Sequence, residues 1–355
     1  MNSKLTPIYA IVAASSFAGS LIGIFVPVYL LTVGYSVRDV MVLSLIQVFT
    51  GLLAIAGTAW ASRRVPLKFI MLVRIPVLIA FLALLASAHT HRVPIALLAA
   101  LQGLQFILYY LPLHIFFIQG SDEESVGHQL GLLGAIPQGV SLGAPLLAGV
   151  IAARWGFNPL FAITAVFYAV SAVPMTKLPA YKSPFSLNWA TFRRLYAKYR
   201  TYFWLEVVEN IQEELDLVIW PLVVYLTVKS TISVGAASTL IATGSALFTY
   251  LVGRRADKTD KFKLLRLGGV VMLVLWALRL GHLTPLSVFV ISTLVGFAGM
   301  LVNLPFTAII YNLRDLMPEV VCTSTCTSRE AHARRSSREE LHEGIERITT
   351  SRQRC

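Results

Sequence analysis

IYAIVAASSFAGSLIGIFVPVYLLTV, residues 8–33, runs for 26 residues without a charged side chain. Crossing about 30 Å of hydrocarbon takes roughly 20 residues of helix, so this stretch can span a bilayer with its own backbone hydrogen bonds satisfied. A secretory signal would end its apolar core within about 15 residues at a small-residue cleavage site. Here the core continues to Val33, which predicts a first membrane helix instead. Working outward, apolar runs bounded by Gly, Pro and charge predict further spans at 37–61, 69–88, 93–118, 130–153 and 160–175. A basic, aromatic stretch at 177–200 reads as a linker, and four more spans fit 202–228, 234–252, 264–280 and 286–313.

The composition agrees with a chain dissolved in lipid. Of 355 residues, 56% are hydrophobic and 14% charged, with a mean hydropathy of +0.70. The net charge of +12 does not imply nucleic acid, because the basic residues sit in short loops and not on a soluble face. Lys4, Arg63, Arg64, Lys68, the 177–200 linker and the group from Arg254 to Arg266 fall on one side of the predicted topology. The other side holds only Arg38, Arg92, Arg154, Lys229 and Arg279. The positive-inside rule therefore places the N-terminus and linker in the cytoplasm of a multi-pass cell-membrane protein.

The first run has an echo. YFWLEVVENIQEELDLVIWPLVVYLTV, residues 202–228, sets Trp220-Pro221-Leu222 against Val26-Pro27-Val28, and Leu226-Thr227-Val228 against Leu31-Thr32-Val33. At nearly the same offset of about 194 residues, Leu240-Ile241 meets Leu45-Ile46 and Leu304-Pro305 meets Leu111-Pro112. An offset that spans six helices and keeps their direction predicts two parallel halves related by an axis along the membrane normal. The expected organisation is a six-helix bundle (1–176), a linker (177–200), an incomplete four-helix bundle (201–320) and a polar tail (321–355).

Between the eighth and ninth spans, Gly253-Arg254-Arg255-Ala256-Asp257-Lys258 resembles the loop signature of the major facilitator superfamily, and 58–64 is similar to a degenerate copy with Ser62 in place of the acid. In the fifth span, Gly139, Gly143, Pro145 and Gly149 are similar to the Gly/Pro-rich helix of that superfamily's exporters. The resemblance implies an all-α transporter fold with a cavity between two bundles that opens alternately to each side. It also implies about ten helices present, six plus four, of an expected twelve. Physically, small residues on one helix face let backbones approach, and Pro145 can bend the helix where neighbours satisfy the freed carbonyl.

Span seven is chemically unusual, since Glu206, Glu209, Asn210, Glu213, Asp216 and Trp220 share one helical face. Carboxylates are costly in lipid, so this stripe must face protein, water or cations. Glu213, Asp216 and Glu209 are the proton-coupling candidates, unless 202–214 is an interfacial amphipathic segment whose acids are simply wet. Gln102, Gln105 and Tyr109 in span four, with Asn210, Trp220 and Asn303, are the substrate-cavity candidates, although interhelical bonding explains such groups as well. Ser15 and Ser16 align by the repeat with Glu209 and Asn210. Serines there commonly bond their own backbone, Arg74 is expected to snorkel to the interface, and His114 reads as structural. Gly253, Arg254, Arg255, Asp257 and Lys258 form a candidate cytoplasmic gate facing Glu123.

No phosphate-binding glycine loop, zinc-ligand spacing or nucleophile elbow is present in the sequence, so neither enzyme chemistry, a metal nor a cofactor is expected. The expected function is secondary, proton-coupled movement of a small organic molecule across the bilayer, leaning to efflux. The alternatives are a non-transporting truncated protein or interaction module, and a metabolite importer. After Glu319 the chain turns to Cys, Ser, Arg, Glu and Thr, and all three cysteines lie there. A frame disruption or truncation is favoured over a genuine tail, because two helices expected from the repeat vanish together.

Overall fold

The computed structural model describes residues 5–121, 126–182, 189–256, 261–281 and 283–315. The described residues are helical throughout, joined by short turns. In chain order the helices are α1 (Thr6–Ile22), α2 (Phe25–Thr32), α3 (Val37–Ser62), α4 (Leu67–Ser87), α5 (Ile95–Gly120), α6 (Val126–Ser141), α7 (Ala144–Trp155) and α8 (Phe157–Thr176). After the linker come α9 (Trp189–Glu214), a π-helical turn (Leu215–Ile219), α10 (Trp220–Val228), α11 (Thr231–Ala256), α12 (Lys261–Arg279) and α13 (Pro285–Asp315).

Among the described residues, eight helical segments are long and apolar enough to cross a membrane: six up to Thr176, then Thr231–Thr249 and Pro285–Asn303. The predicted spans at 202–228 and 264–280 form helices but carry more charge, acidic in the first and basic in the second. Helix also begins earlier than expected. Trp189 opens α9 inside the predicted linker, and the break falls at Tyr199, whose φ of −120° and ψ of 23° leave the helical region. Before that break, Trp189 stacks on Phe192 at 5.3 Å beside Arg193, Arg194 and Lys198, which is the make-up of an interfacial helix.

Proline breaks the long helices at defined places. Having no N–H, it leaves the carbonyl four residues earlier without its helical partner. Pro27 follows the turn at Gly23–Ile24 that separates α1 from α2, and Pro145 follows the turn at Leu142–Gly143 that separates α6 from α7. Pro221 follows the π-turn, where the Trp220 N–H reaches back five residues to the Leu215 carbonyl. Pro27 and Pro221 stand about 194 residues apart in the sequence, and each follows a break in a long helix.

Helix pairing has the same order in the two halves. α3 packs on α5 and α4 on α5; α11 packs on α13 and α12 on α13. The α3–α5 crossing is made by Gly51 and Gly103, and the α11–α13 crossing by Gly244 and Gly296, each 193 residues further on. A Cβ at Gly103 would collide with the Gln47 carbonyl, and one at Gly296 with that of Ile241. Without a hydrophobic drive between helices in lipid, such backbone contact is what holds the pairs.

The halves meet where α11 lies along α7 and α10 touches α2. Leu21, Phe25 and Val28 join Ala144, Ala148, Trp220, Val224, Val234 and Ala237 in one apolar cluster drawn from both halves. At its centre, a Cβ on Gly149 would sit 2.6 Å from the Thr231 carbonyl, and one on Gly235 would collide with that of Pro145. Gly149 and Pro145 both lie at this close backbone contact. Gly139 and Gly143 do not, because both are exposed and a Cβ at either would meet nothing.

The turns sort onto two ends. At one, Leu67 N–H donates to the Tyr181 carbonyl and the Tyr9 hydroxyl to that of Gln129. At the other, Tyr35 donates to the Val93 carbonyl and Thr231 to that of Gly149. Overpacking a tight backbone contact costs about 1–3 kcal/mol. We therefore expect Gly235→Val to lower the melting temperature and monodisperse yield of the purified protein, while Gly139→Ala leaves both unchanged or slightly higher.

Candidate functional site

A cavity of about 900 Å³ lies between the halves. Its first wall comes from α1, α3, α4, α5 and α6, with Ser15, Ser16, Gln47, Arg74, Gln102, Gln105, Tyr109 and Gln138 on the lining. The facing wall comes from α9, the π-turn, α11 and α13, with Glu209, Gln212, Glu213, Glu214, Asp216, Ser245 and Asn303. One wall carries a single cation and the other the acids.

Arg74 organises the first wall. Its side chain does not snorkel to the interface: the residue is 5% exposed, in mid-α4, with Nε donating to Gln105 Oε1 at 3.1 Å and a terminal nitrogen to Ser15 Oγ at 3.1 Å. The guanidinium lies over the Tyr109 ring at 3.9 Å and 5.2 Å from that of Tyr168. Ser15 therefore serves as an interhelical acceptor, not merely a partner of its own backbone. A planar cation sandwiched by phenols and held by amide and hydroxyl is fixed in orientation, which arginine achieves and lysine does not.

The acidic wall divides in two. Glu209 accepts from Asn303 Nδ2 at 2.8 Å, tying α9 to α13 at the cavity edge. Glu213 is exposed on the lining, within electrostatic reach of Tyr110, which stacks on His114 at 6.2 Å. Asp216 differs from the expected proton carrier, since its Oδ1 accepts from an Arg279 terminal nitrogen at 2.5 Å. Arg279 itself was expected in a loop opposite the cytoplasm. Its side chain is instead 3% exposed, with Trp220 at 4.1 Å and Trp276 at 4.4 Å from the guanidinium carbon. Asp216 lies within the π-turn, where the helix hydrogen bond spans five residues and not four.

Two cavity candidates belong elsewhere. Trp220 is buried, donates from Nε1 to Ser292 Oγ at 3.0 Å and does not line the cavity. Asn210 is exposed and also off the lining. Gly253, Arg254 and Arg255 occupy the last turn of α11, whereas Asp257, Lys258 and Glu123 fall outside the described residues, as does the 321–355 tail. Among the described residues, no three of His, Cys, Asp and Glu gather to hold a metal ion.

No protein-family model and no curated protein matches this chain. Solved structures do. A point mutant of the nucleoside transporter NupG superposes with a TM-score of 0.63 at 12% identity, covering 86% of this chain and 82% of its own. A bacterial metal transporter gives a TM-score of 0.52 at 16% identity, covering 89% and 83%. The chain has the fold of these transporters.

The Asp216–Arg279 geometry has a measurable consequence. Removing one partner of a buried ion pair leaves an uncompensated charge and costs about 3–5 kcal/mol. Asp216→Asn is expected to lower the melting temperature substantially. Adding Arg279→Gln should restore much of the loss, as read by a double-mutant cycle of thermal unfolding.

Proposed function

We propose that this chain is a secondary active transporter of the major facilitator type, with its N-terminus in the cytoplasm of the cell membrane. In this reading ten spans, six plus four, form two parallel repeats, and the cavity opens alternately to either side. The observation that carries it is the cavity itself: walls that set polar groups of opposite charge facing one another, between bundles whose outer faces are apolar. Charged groups at that depth are expensive, and a translocation path is the usual reason for them. The repeated glycine crossings and the paired proline breaks support the repeat, and the fold shared with two transporters supports the class.

The cargo is a small organic molecule, moved against protons and outward. Glu213 carries the proton: it is exposed on the cavity lining, next to the Asp216 that pairs with Arg279 and the Glu209 that accepts from Asn303. Those two carboxylates set the geometry and potential of the acidic wall. From the sequence alone, we propose that Arg255 and Glu123 act as a cytoplasmic latch that biases the cycle, a kind of pair that is worth only about 0–1 kcal/mol when solvated. Charge reversal at each should impair transport separately and restore it together.

Proteoliposomes with an imposed pH gradient test the reading, using radiolabelled amino acids, organic acids and nucleosides as probes. Gradient-driven flux of at least one probe is expected. Glu213→Gln should abolish the gradient dependence while counterflow exchange persists. Flux of no probe in either direction would favour the non-transporting alternative.

A further inference from the structure

Arg74 is the one cation on the cavity lining among the described residues, and every partner that holds it is neutral. The described ion pair of the interior, Arg279 with Asp216, involves other groups. A guanidinium keeps its proton even when buried, so its charge must be met by something. Glutamine, serine and tyrosine orient it without neutralising it, and a fork of donors held flat against a ring is the geometry that grips a carboxylate with two parallel bonds.

Two further atoms on the same wall want a partner. Gln102 Oε1 is a buried acceptor that receives no hydrogen bond, one turn of α5 before the Gln105 that braces Arg74. Ser44 Oγ on α3 is likewise buried and unbonded, and both residues line the cavity. Buried polar atoms left unmet are costly, and sites built to hydrogen-bond a ligand leave such atoms open before it arrives. The facing wall presents Glu209, Glu213 and Glu214. A ligand bridging this space meets a cation and open polar atoms at one end, and carboxylates at the other.

We infer that the cavity takes a zwitterion, its carboxylate seated on the Arg74 fork and its ammonium turned toward Glu213 on the opposite wall. The inference rests on the transport reading for its purpose, but not for its geometry. Gln102 and Ser44 then supply the polar contacts that a backbone amide or a hydroxyl of the ligand would satisfy. A neutral molecule would leave the Arg74 fork without a carboxylate to grip, and a bare cation would be repelled by it.

Thermal stabilisation of the purified full chain tests this, because a ligand that binds the folded state raises the melting temperature whether or not it is transported. The probes are α-amino acids and dipeptides as zwitterions, succinate as an anion, choline and Mn2+ as cations, and adenosine as a neutral ring compound. At millimolar concentration at least one zwitterion should stabilise the wild type more than every other class. Arg74→Gln should weaken that binding by about tenfold or more, since hydrogen bonds to a charged group are lost. Arg74→Lys, which keeps the charge inside the bundle, guards against a folding defect and should retain part of the response. Glu213→Gln should erase the preference for zwitterions over succinate.

Stabilisation by no zwitterion, or equal stabilisation of the wild type and the Arg74 variants, would overturn the assignment. The two readings fail separately. A zwitterion that binds through Arg74 without crossing proteoliposome membranes leaves the site standing and removes transport. Flux of adenosine, choline or Mn2+ that is indifferent to Arg74 leaves transport standing and removes the site.

Discussion

In hydrocarbon, a backbone carbonyl released from its helix has no water to turn to. That constraint governs where this chain is allowed to be irregular. The breaks before Pro27, Pro145 and Pro221 fall beside the central cavity or the seam between halves, where neighbouring helices supply cover. The lining includes Gly23, Ile24, Pro27, Ser141, Pro145 and Leu217, so interrupted helix forms part of the cavity wall. Sequence chemistry decides the interruptions, and they in turn decide which side chains face the lumen.

Charge follows the same economy. Arg279 and Asp216 neutralise one another between two indoles, and the pair is the anchor that fixes the π-turn against α12. Arg74 is treated differently, braced by neutral groups on α1 and α5, laid over the Tyr109 ring and set on the cavity lining. The two arginines lie on opposite sides of the central space and solve the same desolvation problem in opposite ways. One has its charge met by the protein, although its Nε and second terminal nitrogen find no acceptor; the other is only oriented by it.

Eight of the predicted span positions were legible, among the described residues, because hydrophobic length is a nearly one-dimensional property. The run at 8–33 needed no tertiary information, and neither did the acidic stripe from Glu209 to Asp216. The partners of those charges were not legible. Arg279 sits at the end of an apolar run and reads as a loop cation, and only the packing of α12 against α13 and the π-turn brings it to Asp216. Arg74 reads as a snorkelling residue because seven positions from the start of α4 is within reach of an interface. What the one-dimensional reading lacked was the tyrosine pair and the glutamine that hold it inward. The glycines divide similarly: composition marks Gly139, Gly143 and Gly149 alike, but closeness depends on which face meets α11, and only Gly149 has a backbone opposite it.

The α7–α11 seam presents Gly149 to Thr231 and Gly235 to Pro145, main chain against main chain. Interlocked side chains act like gear teeth, and displacing them means climbing over each one. Bare backbone offers a smooth bearing, firm against separation but shallow along the direction of rolling. Around this bearing Leu21, Phe25, Trp220 and Val224 do interlock, so the bare backbone sets how close the halves come while the ring of side chains decides how firmly they hold.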